Sequence, residues 1–337
     1  MSKLYDVAVV GGHGLVSKSI IKDLYKYNFP LRNLVVYGSK EHANMDLNID
    51  GREFKIKVLV DENIEKFDVV FFSTGEDLSY KYAEKFISLG ARVIDNSSYY
   101  RMFKEVPLVI PEINEEDLLN NSKIYANPNC TTIMILLALY AIHKEFELEK
   151  IYISSYQSVS GAGSLALQEF INESIDPTFM PQYLPSKNAT KKQMYNNILP
   201  IVDMIHEDGY TSEENKIEQE SKKILHLPNL EVNPTTVRVP VLFGHGASIS
   251  ALCKKKIDLN KINSLLMNQD YLRVKTGNNY PDLKSVVGTH YVDVGRLRID
   301  RNCEYTINLF ATSDNLIRGA SYNAVKIALS LIRLNII

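Results

Sequence analysis

Short apolar runs alternate with amphipathic segments along the first third of the chain. An apolar run bounded by Gly, Ser, Asp or Asn predicts a buried strand, and apolar positions three or four apart predict a helix. The predicted strands are Val7–Val10, Leu34–Tyr37, Val69–Phe72 and Arg92–Ile94, and the predicted helices are Val16–Leu24 and Tyr80–Leu89. Strands that alternate with helices favour right-handed crossovers and a doubly wound parallel sheet.

The pattern changes after Pro128. The apolar run Ile133–Ile142 predicts a buried helix that begins near Asn129, and a polar helix is predicted at Glu213–Ile224. A strand is predicted at Lys150–Tyr156. Alternating apolar and polar residues then predict half-buried antiparallel strands at Thr235–Val241, Ala247–Cys253, His290–Ile299 and Glu304–Ala311. A last helix is predicted at Gly319–Leu334. The predicted fold class is therefore α/β: a Rossmann-like doubly wound parallel sheet plus an α+β domain with a mostly antiparallel sheet. The predicted domains are 1–127 with 314–337, and 128–313.

Composition narrows the range of partners. A formal net charge of -2 gives no electrostatic reason to expect nucleic acid or a membrane surface as a partner. We find no apolar run of the roughly 18 residues that a membrane span needs. Three scattered cysteines argue against a disulfide framework and a metal cluster, and we expect a reducing compartment, the cytoplasm.

A glycine-rich segment joins the first predicted strand to the first predicted helix. It comprises Gly11, Gly12, His13, Gly14, Leu15, Val16 and Ser17. Glycines here let the backbone approach a pyrophosphate, and the helix start supplies N–H donors and positive potential. Ser17 stands where the fingerprint has its third glycine. The segment predicts a dinucleotide site, with an ordinary strand–helix turn as the alternative.

Cys130 stands at the start of the apolar helix, in the run Asn127-Pro128-Asn129-Cys130-Thr131-Thr132. A cysteine in the first helical turn is shifted toward the thiolate by the helix dipole and unpaired N–H groups. The alternative is a buried, inert cysteine. Further along, Arg238 suits a carboxylate and His245, between two glycines, suits proton transfer. Taken singly, either residue is as well explained by a structural role.

Together these segments resemble the aspartate-β-semialdehyde dehydrogenase family. Further matching segments, in the family's order from the first strand to the last helix, are 94–102, Gln157-Ser158-Val159-Ser160-Gly161-Ala162-Gly163, 209–216, 294–298 and 314–320. The resemblance implies reduction of L-aspartyl-4-phosphate to L-aspartate 4-semialdehyde through a Cys130 thioester. The pathway implied is biosynthesis of lysine, threonine, methionine and, in bacteria, diaminopimelate.

The resemblance also implies a role for individual residues. Cys130 is the nucleophile, His245 the general acid/base, and Gln157 orients the substrate or acyl group. The implied substrate-binding residues are Arg238 for the α-carboxylate, Glu213 for the ammonium group, Lys216 and Arg101 for phosphate, and Asn129. The implied cofactor-binding residues are Gly11, Gly12, His13, Gly14, Leu15, Val16, Ser39, Ser73, Gly75, Ser160, Gly161 and Asn315. Without the resemblance, Glu213 and Lys216 would be interpreted as a solvent-side helical pair.

The resemblance implies NADP as cofactor, phosphate as co-substrate, and a homodimer or a dimer of dimers formed through the middle domain. Glu41 occupies the place of an arginine that meets the 2′-phosphate, so NAD is the alternative cofactor. The nearest rival is N-acetyl-γ-glutamyl-phosphate reductase, which usually has glycine where this chain has Asn129. A non-catalytic relative and glyceraldehyde-3-phosphate dehydrogenase are the other rivals. The loop at 176–189 is left as a lid, a dimer contact, or neither.

Overall fold

The computed structural model describes residues 3–42, 45–185 and 190–337. The chain divides into two compact units, one of Met1–Asn129 with Ala320–Ile337 and the other of Cys130–Gly319. Within the described ranges, no helix is long and apolar enough to cross a membrane. Of the loop predicted at 176–189, residues 176–185 contain no helix or strand, and 186–189 lie outside the described residues.

The first unit is built on a seven-stranded sheet. Its strands are β1 (Tyr5–Val10), β2 (Leu31–Gly38), β3 (Asp46–Ile49), β4 (Arg52–Val58), β5 (Val69–Phe72), β6 (Arg92–Asp95) and β7 (Ile124–Ala126). Its first three helices are α1 (Leu15–Lys26), α2 (Glu76–Ser88) and α3 (Pro111–Asn114). The strand order is β3-β4-β2-β1-β5-β6-β7, and every pair is parallel except β3 with β4. The predicted doubly wound parallel sheet is confirmed.

The hairpin of β3 and β4 was not predicted, although the chain carries a signal for it. Asp50 and Gly51 join the two strands with φ angles of 50° and 82°. An Asp-Gly pair with positive φ at both positions is typical of a two-residue hairpin turn. The two strands contain no continuous apolar run, because they form the edge of the sheet and many of their side chains are exposed.

The second unit is built on a six-stranded mixed sheet. Its elements in chain order are α4 (Cys130–Phe146), β8 (Leu148–Gln157), α5 (Ser164–Ile175), α6 (Ser212–Ile224), β9 (Glu231–Arg238), β10 (His245–Cys253), α7 (Leu259–Met267), β11 (Leu272–Lys275), β12 (Val292–Ile299) and β13 (Thr306–Ser313). The strand order is β11-β12-β13-β10-β8-β9. The three inner pairs are antiparallel and the two outer pairs are parallel. The predicted mostly antiparallel sheet is confirmed.

One predicted strand pairs differently from the expectation. The segment Thr235–Val241 was expected to be antiparallel, but β9 ends at Arg238 and pairs with β8 in parallel. Between β8 and β9 the chain passes through α5 and α6, and a crossover of this length permits a parallel pair. The residues after Arg238 include Pro240, which lacks the N–H that a strand ladder needs.

The last helix begins later than predicted. A π-helical turn spans Ile317–Ser321, and only then does α8 (Tyr322–Arg333) begin. In the first unit α8 packs against α1 and β6 and joins the main core through buried residues such as Ala324, Ile327 and Leu331. In the second unit α4 is buried along most of its length, as the apolar run predicted.

Candidate active site

Three predicted site residues lie side by side at one end of the second sheet. Gln157 ends β8, Arg238 ends β9 and His245 begins β10. In the sheet register Gln157 pairs with both Arg238 and His245, and His245 also pairs with Ser313 of β13. Directly opposed residues point to the same face of a sheet. Residues far apart in sequence are therefore aligned in one row, and the side chains of Gln157, Arg238 and His245 are buried.

Cys130 is the first residue of α4, and its side chain is partly buried. The π-helical turn lies directly against it: a Cβ on Gly319 would be 2.5 Å from the Cys130 Cβ and 3.0 Å from its Cα. That turn is fixed by Asp314, whose carboxylate accepts from the Leu316 and Ile317 N–H groups and whose carbonyl accepts from the Gly319 N–H. Only glycine fits at 319 with Cys130 in this position. The helix that was predicted to begin near Asn129 begins at Cys130.

Ser158 connects His245 and Arg238 through its backbone. Its N–H donates to His245 Nδ1 at 3.1 Å, and its carbonyl accepts from Arg238 Nη1 at 2.8 Å. Its hydroxyl lies 3.1 Å from the same His245 Nδ1 and 3.0 Å from the Ser160 hydroxyl. Asn315 completes this group, since its Oδ1 accepts from the Gly244 N–H and its Nδ2 donates to Ser160. The side chains of His245 and Arg238 are thus held in position by hydrogen bonds to Ser158.

Burial sets the charge states in this row. Burial, followed by the positive charge of Arg238, lowers the pKa of His245 to about 3, although the Gly244 backbone opposes the shift. Burial also lowers the pKa of Arg238, while electrostatic interactions with Glu213, Cys130 and Asp203 raise it. At neutral pH the row therefore holds a neutral imidazole beside the guanidinium of Arg238.

Helix α6 delivers Glu213 to this row. Thr211 caps the helix: its hydroxyl accepts from the Glu214 N–H while the Glu214 carboxylate accepts from the Thr211 N–H. The same carboxylate also accepts from the Thr236 N–H of β9, which anchors the helix start to the sheet. Gln157 Nε2 then donates to Glu213 Oε1 at 3.1 Å.

The alternative of a solvent-side Glu213–Lys216 pair is wrong for Glu213, which is 5% exposed. Lys216 lies 3.7 Å from Glu213 and 2.7 Å from Asp203. Asp203 was not predicted, and it adopts a φ of 70°, which is uncommon for a residue other than glycine. Two acidic side chains thus fix the ammonium group of Lys216.

The glycine-rich loop of the first unit forms a tight turn between β1 and α1. The Gly11 and Gly12 N–H groups both donate to the Tyr37 carbonyl. A Cβ on Gly11 would lie 2.5 Å from the Ser17 hydroxyl, so the space vacated at position 11 holds the serine that replaces the third glycine. Ser17 in turn hydrogen-bonds Ser73 at 2.5 Å, which ties the loop to the end of β5.

Two helix N-termini open at the same edge of this sheet, because β1 and β5 are parallel neighbours. Gly14 precedes α1 and Gly75 precedes α2, and neither helix has a side-chain cap. The N–H groups of Leu15 and Val16 belong to the first turn of α1. Backbone donors and positive potential are therefore available for a phosphate, and a Cβ on Gly75 would meet no atom within 4 Å. The loop fits a dinucleotide.

Basic and acidic groups lie together after β2. Ser39 hydrogen-bonds His42 Nδ1 at 2.9 Å, and the His42 ring lies 5.2 Å from that of His13. Burial, Lys18 and His42 together lower the pKa of His13. Glu41 is exposed on the short 3-10 turn Lys40–His42.

Arg101 belongs to the first unit and is buried, with its Nη2 donating to the Asn96 carbonyl at 2.8 Å. The aromatic pair before it packs locally, since Tyr99 and Tyr100 both contact Phe103. Asn129 is also buried and is the last residue of the first unit before Cys130.

Sequence reasoning singled out Ser160 and Asn315 but missed three neighbours. Ser158 acts through its backbone, and Asp203 lies in a loop without a motif. Gly319 could have been found, because it lies inside a segment that carried the family resemblance. Among the described residues, no group of three or more His, Cys, Asp or Glu side chains is arranged to hold a metal ion.

Comparison with known proteins covers nearly the whole chain. Residues 6–121 match the family model for the semialdehyde dehydrogenase NAD binding domain, and residues 139–318 match that for the semialdehyde dehydrogenase dimerisation domain. The chain is 39% identical over 335 residues to an aspartate-semialdehyde dehydrogenase of Aquifex aeolicus, covering 98% of each protein. It is 36% identical to that of Bacillus subtilis, covering 100% of each. A crystal structure of aspartate semialdehyde dehydrogenase II of Vibrio cholerae complexed with ASA superposes with a TM-score of 0.92 at 33% identity, over 98% of this chain and 99% of that one.

Proposed function

The chain belongs to the aspartate-semialdehyde dehydrogenase family, and from that premise we propose that it reduces L-aspartyl-4-phosphate to L-aspartate 4-semialdehyde through a thioester on Cys130. The observation that carries the proposal is the row of Gln157, Arg238 and His245 at the end of the second sheet. Cys130 interacts electrostatically with this row, since it raises the pKa of Arg238. The product would feed biosynthesis of lysine, threonine, methionine and diaminopimelate, in the cytoplasm.

Cys130 has the surroundings of a nucleophile. The start of α4 and the Arg238 guanidinium both favour the thiolate. The thiolate attacks the acyl carbon, the C–O bond to phosphate breaks, and inorganic phosphate leaves. When bound, the nicotinamide supplies the hydride that reduces the thioester. Collapse of the thiohemiacetal then releases the aldehyde and returns the thiolate, so Cys130 is regenerated in the form in which it began.

Charged side chains match the three charged ends of the substrate. Arg238 is buried and its Nε has no hydrogen-bond partner among the described residues, which suits a buried carboxylate. Glu213 offers a carboxylate to the ammonium group, and Gln157, bonded to it, orients the acyl group. Lys216 and Arg101 are assigned to the phosphate. A free ammonium group also suits Glu213 better than an acetylated amine, because an acetamide carries no positive charge to attract the carboxylate.

The chain uses a nicotinamide cofactor, and we propose NADP rather than NAD. Lys18, Lys40 and His42 offer positive charge or hydrogen bonds near the end of β2, where a dinucleotide fold places the 2′-phosphate. Glu41 is the opposing group. We expect Glu41→Gln to raise kcat/KM with NADP relative to NAD, measured with both cofactors. An unchanged or reduced ratio would contradict this placement of Glu41.

We also propose that the active form is a homodimer, with a dimer of dimers as the higher assembly. The matched dimerisation domain supports self-association. Large apolar side chains are exposed in the same unit, including Ile175, Met180 and Ile198. Light scattering of the purified protein at low micromolar concentration tests this, and a monomer would contradict it.

The test of activity is phosphate-dependent oxidation of L-aspartate β-semialdehyde, the reverse reaction, run in parallel with NADP and NAD. We expect turnover that requires both phosphate and a cofactor. The control is N-acetyl-L-glutamate γ-semialdehyde under the same conditions. Turnover of the acetylated aldehyde alone would overturn the proposal in favour of N-acetyl-γ-glutamyl-phosphate reductase. No turnover of either by folded protein would favour a non-catalytic role.

A further inference from the structure

Asp314 directly follows β13, and its carboxylate is buried and bonded to backbone N–H groups from two directions. One oxygen, Oδ1, accepts from the Leu316 and Ile317 N–H groups at 2.8 and 3.0 Å. The other, Oδ2, accepts from the Gly288 N–H at 2.8 Å. Hydrogen bonds to a charged acceptor are roughly twice as strong as those between neutral groups. Asp314 therefore joins two segments of the second unit that are distant in sequence.

The Oδ1 side of Asp314 bears on the proposed nucleophile. Leu316 and Ile317 lie at the start of the π-helical turn, and the Asp314 carbonyl also accepts from the Gly319 N–H at 3.0 Å. Gly319 lies so close to Cys130 that a Cβ on the glycine would be 2.5 Å from the Cys130 Cβ. A movement of this turn would therefore be transmitted to Cys130.

The Oδ2 side of Asp314 holds a compact segment, residues 282–289, which lies between β11 and β12. Asp282 Oδ1 accepts from two backbone N–H groups within the segment, both at 2.9 Å. The Thr289 N–H donates to the Val286 carbonyl at 3.0 Å, and the Val286 side chain is fully buried. These contacts hold the segment together, so a displacement at Gly288 would move its neighbours as well.

The segment 282–289 packs against the backbone that carries His245. Gly244 has a φ of 86°, and a Cβ there would be 2.5 Å from the Leu283 carbonyl oxygen. A Cβ on Gly246 would be 3.2 Å from Leu283 Cδ1. Leu283 thus fills the space that side chains on both neighbours of His245 would occupy. The position of His245 therefore depends on the segment that Asp314 holds.

We infer that Asp314 is a positioning residue that sets the Cys130 thiol and the His245 ring relative to each other. Oδ1 fixes the turn against Cys130, and Oδ2 fixes the segment against the neighbours of His245. The inference rests on the proposed function, in which Cys130 is the nucleophile and His245 the general acid/base. A general acid/base acts only within hydrogen-bond reach of its proton, and a misplacement of about 1 Å can cost about 10²-fold in rate.

The two oxygens of Asp314 can be tested separately, because Asp314→Asn removes one acceptor and Asp314→Ala removes both. The asparagine keeps two hydrogen bonds when its oxygen faces Leu316 and Ile317, and its NH₂ group then opposes the Gly288 N–H. We expect Asp314→Asn to lower kcat for aldehyde oxidation by about 10-fold or more, with unchanged KM for the aldehyde and an unchanged rate of Cys130 alkylation. Asp314→Ala should lower kcat further and also change the alkylation rate.

Hydrogen exchange followed by mass spectrometry tests both attachments without substrate or cofactor. We expect the peptide that contains Gly288 to exchange faster in both Asp314 variants. The peptide that contains residues 316 and 317 should exchange faster only in Asp314→Ala. Asp300→Asn is the matched control, because the Asp300 carboxylate also accepts a backbone N–H, from Asn302 at 2.9 Å. This control should leave kcat, alkylation and both peptides unchanged.

Unchanged kcat in Asp314→Asn would overturn the inference. A loss of kcat with an equal change in Cys130 alkylation would also overturn it, because the turn and the segment would then not be held separately. Should neither Asp314 variant fold, Leu283→Ala tests the same link with the carboxylate in place, and an unchanged kcat there would be the contrary result. Absence of turnover by the unsubstituted protein would instead contradict the proposed function, while the exchange and alkylation patterns would still decide whether Asp314 holds both segments.

Discussion

The contact between Gly319 and Cys130 gives a prediction whose size follows from the structure. In Gly319→Ala the new Cβ would start 2.5 Å from the Cys130 Cβ and 3.0 Å from its Cα. Ordinary carbon–carbon contacts lie at about 3.5–4.0 Å. The helix start or the π-helical turn must therefore move by about 1 Å. The turn is held at Asp314 by three backbone N–H groups, so we expect Cys130 to take part of the shift.

The expected effect is larger on activity than on stability. A displacement of about 1 Å at a reacting group can cost about 10²-fold in rate, whereas overpacking costs about 1–3 kcal/mol of unfolding free energy. We expect kcat for aldehyde oxidation to fall about 100-fold and the Cys130 alkylation rate to change. Thermal unfolding would show a loss of a few degrees.

Gly75→Ala is the matched control for stability. Gly75 has an ordinary φ, and a Cβ added there would have no atom within 4 Å. We therefore expect the melting temperature and the rate of Cys130 alkylation to be unchanged. A Gly319→Ala enzyme with kcat and alkylation equal to those of the unsubstituted protein would refute the reasoning. A variant whose melting temperature collapses by tens of degrees would show instead that the turn holds the fold.

Three other predictions test the nucleophile, the buried histidine and the helix cap. Cys130→Ala should abolish turnover and leave the melting temperature and cofactor binding unchanged, because the thiol takes part in the reaction and contributes little to packing. Retained activity would contradict this. Burial lowers the pKa of His245 to about 3 from 6.5, so the unfolded chain binds a proton there that the folded chain does not. Stability in urea should fall as pH drops below about 6.5, and His245→Gln should flatten the slope by up to about 1.4 kcal/mol per pH unit; equal slopes would be the contrary result. Thr211→Val removes the acceptor of the Glu214 N–H and should cost about 0.5–2 kcal/mol in urea unfolding, whereas an unshifted midpoint would mean that the cap contributes nothing.

Much of the fold could be predicted because its elements are locally encoded. The bounds of β5 were predicted to the residue, because a run of four apolar residues between polar residues is typical of a buried strand and too short for a buried helix. The start of α4 was predicted near Asn129 and lies at Cys130, because Asn and Pro residues stand directly before an apolar run. The direction of β9 was wrong, because alternation predicts a half-buried strand but says nothing about its partner.

The site was predicted as residue types and not as an arrangement. Arg238 and His245 were each open to a structural explanation, and only the register that pairs both with Gln157 brings them into one row. That register depends on strand pairs separated by dozens of residues, which no local pattern contains. Glu213 shows the same limit, because its spacing to Lys216 fits an exposed helical pair equally well.

Ser158 was missed for a more general reason. Its strongest contacts to His245 and Arg238 come from its N–H and its carbonyl, which every residue except proline carries. Selection on such a contact leaves little trace in the side chain, so the sequence can show a histidine suited to proton transfer without showing which nitrogen holds the proton.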